Sequence, residues 1–306
     1  MRGRSRESEL VEAPPHRAEI LFSHGARCPL PARGARDVAL LGNRSKRSMR
    51  GALMLLMAGL PMVALAATPA ADPDAFVAGT TKTCIECDLS GRQLSERDLQ
   101  RAKLDRANLA AADLTASSLF RATLVGANLK GAKLAKANLN VVDAKGANLE
   151  GADLTEALLF EADLSGAHLA GAILRAARLG RARLNQADLT GAVLAGADLR
   201  ETRLAGARLA GADMRGVILD GQNLREMDLH GIDFTLSDMV EANFTGADLH
   251  GAQLAGVNLF GANLHGADLR DANLEGANLE NAILSEAQTQ GAKFDAAIMP
   301  DGHRMP

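Results

Sequence analysis

The feature that most constrains this chain is a period of five. In GANLHGADLRDANLEGANLE (residues 261–280), leucine stands at 264, 269, 274 and 279. Alanine sits two places before each leucine, and Asn or Asp immediately before it. The same phase begins at Leu89 and runs to Leu284. Over those 40 positions only Ala144, Met214, Phe234, Met239 and Phe244 replace Leu. Thr289, Phe294 and Met299 continue the frame more loosely, and no insertion or deletion breaks it across about 200 residues.

Neither regular element explains this spacing. On an α-helix, residues five apart drift by about 140° and form no stripe. The Gly that ends most pentads would also weaken a helix by up to ~1 kcal/mol each. A flat strand repeats every two residues. What fits is a short extended piece that turns a corner and starts again. Leu and the Ala two before it then point inward; the Asn/Asp, the residue after Leu and the frequent Gly point outward. The composition suits such a core: 47% of residues are hydrophobic, mostly Ala and Leu, with no Trp and no Tyr. Large catalytic pockets draw on aromatic walls and a few convergent polar groups, so the composition argues against an enzyme.

The pentads GANLH, GADLR, DANLE, GADLT and GAKLA resemble the pentapeptide-repeat family, whose pattern is A(D/N)LXX. The resemblance covers roughly residues 84–299. It implies an all-β fold, a right-handed quadrilateral β-helix with one pentad per side, four per coil and about ten coils. With neighbouring strands ~4.8 Å apart, that solenoid would be about 48 Å long. Stacked coils would bond to one another and bury a continuous Leu ladder, since no single coil is stable alone. The exposed ends of such a stack are pairing hazards. The tail GAKFDAAIMPDGHRMP loses the repeat and is expected to cap one end, while TKTCIECDLSG starts the frame at the other.

A different kind of segment precedes the repeat. KRSMRGALMLLMAGLPMVALAATPA (residues 46–70) has a basic start at Lys46, Arg47 and Arg50, an apolar run over 51–65, and the small-x-small triplet Ala64-Leu65-Ala66. This is the pattern of a secretory signal peptide, placed at 49–66. The run is short for a membrane span and contains Pro61, and no Cys follows it to carry a lipid. Residues 1–48, rich in Arg and Pro, are read as disordered or not translated, with Met49 as the true start. The stretch 67–83 reads as a linker, 84–299 as the β-helix and 300–306 as a tail. The leader implies a periplasmic or secreted protein that meets membrane only during export; a cytoplasmic location is the alternative.

Charge divides along the same line. Residues 1–67 hold eleven Lys/Arg and five acids, leaving 23 basic and 32 acidic residues beyond, a net of −9. Over 219–286 twelve acids face Arg225 and Arg270 alone. This balance disfavours direct binding to nucleic-acid phosphate and suits a protein partner with a basic surface.

Few residues stand out as chemistry. Cys84-Ile85-Glu86-Cys87 is a C-x-x-C, which elsewhere forms a redox pair or half a zinc site. No second pair or nearby His completes a zinc site. In frame both cysteines point inward and cap the first coil, with or without a disulfide; an exported protein permits oxidation. Residues twenty apart fall one above another in a four-sided coil. Asp228, Asp248 and Asp268 then form one column, and His230 with His250 another on the same face. Such columns suit weak binding of a divalent cation, but the expected reading is a solvated polar ladder facing a partner. Arg178 would stack on Asp198, Asp188 on Arg208, and Arg183 on Arg203 without relief. One coil is unusual: Val217, Gln222, Met227 and Ile232 enlarge all four inner Ala sites, with Phe234 at a Leu site, which predicts a wider or distorted coil.

No Ser-His-Asp order, phosphate loop or paired-carboxylate cleft is present in the sequence, and no cofactor or metal is expected. The expected function is a non-enzymatic exported scaffold or protein-binding module. The resemblance implies an alternative, because some family members protect DNA gyrase by matching duplex DNA in width and charge: a DNA-mimic regulator of gyrase or topoisomerase in the cytoplasm. A homodimer is left open.

Overall fold

A computed structural model describes residues 72–306. The expected signal peptide at 49–66 and the segment 1–48 lie outside the described residues. Within each pentad the residue before Leu bridges to the next coil, and the two residues after Leu make a corner. The bridges are parallel and join residues twenty apart. Asp88 pairs with Asn108, Gln93 with Asp113, Asp98 with Ser118 and Lys103 with Thr123, one on each successive side. Four pentads therefore close one coil.

At a corner such as 109–112, the Ala112 N–H donates to the Leu109 carbonyl at 3.0 Å, and residue 111 takes a φ of 52°. A turn of this kind needs a positive φ at its third residue, which accounts for the Gly at so many pentad ends. The preference for Asn or Asp has a separate cause. Its side chain accepts from the main-chain N–H two residues on, as from Ala110 to Asn108 (3.3 Å) and from Thr190 to Asp188 (3.1 Å). The coil-to-coil ladder offers that N–H no main-chain acceptor, so a short amide or carboxylate closes the corner. Stacked amides also bond across coils, from Asn108 to Asp88 at 2.9 Å and from Asn128 to Asn108 at 3.0 Å.

The Leu and Ala positions form one buried column, in which Leu104, Leu109, Leu169 and Leu229 are wholly shielded from solvent. Burying each Leu contributes about 1.5–3 kcal/mol. Ala144, where a Leu is missing, still faces inward and is buried.

The N-terminal end differs from the sequence expectation. The stretch read as a linker contains α1 (Pro73–Val77), with Asp72 as its N-cap. The Asp72 carboxylate accepts from the N–H groups of Asp74 and Ala75 at 2.9 and 3.1 Å, and proline suits the first helical turn. Phe76 from this helix is buried in the same core as the leucines, and Asp74 pairs with Arg92 at 2.9 Å. From Asp72 onward the stretch is a cover for the first coil, because one aromatic side chain shields apolar surface that the last inner residues would expose. Beneath it Cys84 and Cys87 are joined by a disulfide, with Cα atoms 5.4 Å apart.

At the other end the tail turns back on the last coil. Ile298 and Arg304 form an antiparallel bridge, and the Met305 N–H donates to the Ala297 carbonyl at 2.8 Å. No helix among the described residues is long and apolar enough to cross a membrane.

One junction breaks the ladder. Among the described residues the bridges 203–223 and 208–228 are missing, while Asp198 to Ile218 and Asp213 to Asp233 stay paired. The coil below the break is the one whose inner sites are enlarged.

Candidate functional site

The spacing of twenty turns the sequence into columns of side chains. Asp228 bridges to Asp248, and Asp248 to Asp268, so three carboxylates line up one coil apart. His230 and His250 follow them at the corner of the same side. Arg270 grips both oxygens of Asp268, Nε donating to Oδ1 at 2.9 Å and to Oδ2 at 3.0 Å, and Nη2 to Oδ2 at 2.5 Å. His230 Nδ1 lies 2.6 Å from Asp228 Oδ1, and His250 Nδ1 lies 4.0 Å from Asp271. Asp228, His230 and Asp248 offer ligand atoms all within 4.8 Å of one another, and all three residues are exposed. Asp268 and His250 stay outside that group, so three of the five column residues converge.

Other stacked aspartates show what is unusual here. Lys145 lies between Asp143 and Asp163, at 2.9 and 3.2 Å. Arg215 lies between Asp213 and Asp233, at 2.8 and 3.8 Å. In both cases the residue two after the first Asp supplies a permanent positive charge. Between Asp228 and Asp248 that residue is His230. Its hydrogen bond to Asp228, then the charge of Asp228 and the more distant Asp248, raise the imidazole pKa. The same hydrogen bond holds Asp228 below the usual carboxylate value. A proton on His230 offsets one of the two carboxylate charges; an unprotonated imidazole leaves two carboxylates and a nitrogen, a donor set suited to a divalent transition-metal ion.

The central arginines also pair by rule. Arg208 bonds Asp188 on the preceding coil, and the Thr190 hydroxyl, with Arg208, holds Asp188 down to about 2. Arg178 bridges to Asp198, but the Asp198 carboxylate is gripped by Arg200 at 2.9 and 2.6 Å. Arg183 stacks on Arg203, and the expectation of no relief is corrected: Asp163, twenty residues before Arg183 and so on its own column, accepts from it at 3.3 Å. Burial works against charge on Asp163, yet the Ser165 hydroxyl and Lys145 outweigh it and lower the pKa.

One feature went unread in the sequence. Phe160 is 42% exposed, and Arg181 lies 5.7 Å from its ring centre. Gly180 has no side chain to cover that ring, and Arg178 and Arg200 complete a hollow of about 420 Å³. The signal was available, since Phe160 and Gly180 stand twenty apart.

Comparison with known proteins follows this geometry. The family model for pentapeptide repeats matches in eight copies that lie between residues 84 and 299. Among solved structures, HetL, a pentapeptide repeat protein involved in heterocyst differentiation regulation from the cyanobacterium Nostoc sp. strain PCC 7120, is 32% identical. That match covers 76% of this chain and 96% of HetL, with a TM-score of 0.34. QnrB1, a plasmid-mediated fluoroquinolone resistance protein, is 17% identical over 68% of this chain and 90% of its own, with a TM-score of 0.31. A pentapeptide repeat protein of the Arabidopsis thaliana thylakoid lumen is 34% identical over 28% of this chain and 66% of its own, with a TM-score of 0.17. No curated protein matches.

Proposed function

This chain belongs to the pentapeptide-repeat family, and we propose that it is a non-enzymatic exported scaffold that docks a protein partner through its acidic end. The family fold is a right-handed quadrilateral β-helix; here it would comprise about ten coils. The observation that carries the reading is the acidic face. Asp228, Asp248 and Asp268 stack one coil apart within a stretch holding twelve acids and two arginines. A rigid column of carboxylates steers and orients a basic partner more than it adds raw affinity. The basic, apolar and small-x-small pattern at 49–66 supports export.

The first test is the intact mass of the full-length chain expressed in a Gram-negative host and fractionated. A periplasmic form starting near Ala67 is the expected result; an uncleaved cytoplasmic form overturns export. Docking is then tested by a photo-crosslinking residue placed at His250 or, as a control, at Lys133. The reading expects adducts from the His250 position alone, weakened by salt and by Asp228→Asn/Asp248→Asn. Equal adducts from both positions would count against it.

The same acidic stretch favours a second reading, a DNA mimic acting on gyrase or topoisomerase in the cytoplasm. It becomes the leading one if the chain stays uncleaved, and a supercoiling inhibition assay then decides it.

A further inference from the structure

We propose that the junction between residues 201–212 and 220–233 is a hinge that divides the solenoid into two separately rigid blocks. Elsewhere each pentad donates to the next coil in a fixed pattern: Leu109 to Asn128, Ala111 to Lys130 and Asn128 to Ala107, at 2.7–2.9 Å. At this junction the equivalent bonds are missing in an unbroken series. The N–H groups of Glu201, Leu204, Gly206, Leu209 and Gly211 have no acceptor on the coil below, and those of Asn223, Asp228 and Asp233 have none on the coil above. Eight consecutive ladder bonds are therefore lost, along two adjacent sides and at the near edge of a third, where Asp233 gives up its bond to Ala212. The other two sides stay closed, with Leu199 to Ile218 at 2.9 Å, Ile218 to Ala197 at 3.0 Å and Met214 to Asp233 at 3.0 Å.

The cause lies in the inner residues. Coils stack about 4.8 Å apart, a spacing that suits Ala upon Ala. Gln222 stands beneath Thr202 and Met227 beneath Ala207. The Gln222 amide reaches upward to the Leu199 carbonyl at 2.5 Å and to the Thr202 hydroxyl at 3.0 Å. Both of its polar contacts are on the coil above, so its length is taken up inside the junction. Met227 is only partly buried and packs on the core, and it lines the crevice of about 540 Å³ that opens there with Arg203, Leu204, Gly206 and Arg225. On the closed sides the enlarged residues are Val217 and Ile232, compact branched side chains that remain buried. Two long side chains thus wedge two sides apart while two short ones let the opposite sides pair. The next junction down is whole, with Asn223 bridging Asn243 and Asp228 bridging Asp248.

A stack joined along two sides bends about those sides, whereas a stack joined on all four does not. Bending would tilt the acidic coils beyond residue 220 relative to the coils before 212.

Hydrogen exchange on the full chain tests this directly. The hinge expects amides in 201–212 and 220–233 to exchange at least ~100-fold faster than their equivalents one coil away, in 181–192 and 240–253. Equal protection in the two sets overturns the proposal without any variant. Spin labels at Glu150→Cys and Glu280→Cys, with Cys28→Ser, then report the spacing of the two blocks. A broad distance distribution that narrows in Gln222→Ala/Met227→Ala is expected. A distribution already as narrow in the parent chain refutes bending.

Discussion

Ser117 occupies an inner Ala position, wholly buried, and its hydroxyl has no hydrogen-bond partner. A buried donor left unpaired costs about 1–3 kcal/mol. Ser117→Ala removes the hydroxyl and keeps the size of the site, so it should raise stability by about 1 kcal/mol. The measurement is a urea midpoint that rises at unchanged slope; a lowered midpoint would mean that the hydroxyl is satisfied. Val141 presents the opposite case on the outside. It holds a φ of 59° at a corner, where a branched side chain crowds its own backbone. Val141→Gly should stabilise the chain by about 1 kcal/mol, and Val141→Ile should not. His230 adds a dependence on pH. Its pKa is raised in the folded state, first by the hydrogen bond to Asp228, so its contribution is fully present below its ordinary value of 6.5 and fades as pH rises through the raised one. Asp228, lowered by the same bond, loses its share only as pH falls below the carboxylate range. The melting-temperature difference between the parent chain and His230→Gln should therefore be largest at mildly acidic pH, below 6.5, and fade as pH rises into the alkaline range. A difference that is flat with pH would exclude the ion pair.

Among the elements, the repeated coil was legible because every pentad must present the same two inner positions. The unbroken phase excluded a helix and a flat strand, and the family resemblance supplied the four sides. The corner bond made by Asn108 or Asp188 was not legible, since a polar outward residue looks the same in sequence whether it binds water or a main-chain N–H. α1 was missed for a different reason: five residues with a single Phe76 make no period. The columns were legible from spacing alone, but the partner of a long side chain was not. Arg178 was expected to pair with Asp198, yet Arg200, two residues along the same coil, takes that carboxylate with two bonds. The disulfide joins Cys84 and Cys87, only three residues apart in sequence, and so short a loop constrains the unfolded state by about 2 kcal/mol. Cys84→Ala/Cys87→Ala should loosen the first coil and α1 while leaving exchange over 140–160 unchanged. Loss of protection along the entire stack would show that the N-terminal cover nucleates the rest.

For the molecule as a whole, a solenoid gains stability coil by coil, each coil held by its own packing and by bonds to its two neighbours. Its unfolding is cooperative only while those neighbour terms are alike. Each main-chain bond contributes about 1 kcal/mol net, and the junction at 201–233 lacks eight. It is weaker than its neighbours by several kcal/mol, a large part of the 5–15 kcal/mol that holds a typical domain together. The described residues should therefore unfold in urea as two blocks. The shorter block beyond residue 220 has fewer neighbour terms and less buried leucine, so it should open first. Exchange followed by mass spectrometry at increasing urea reads both blocks in one sample, which matters in a chain with no Trp and no Tyr. Gln222→Ala/Met227→Ala restores Ala-sized sites on the open sides and should bring the two transitions together. A single transition shared by both blocks in the parent chain would mean that the two closed sides carry enough coupling to make the break energetically silent.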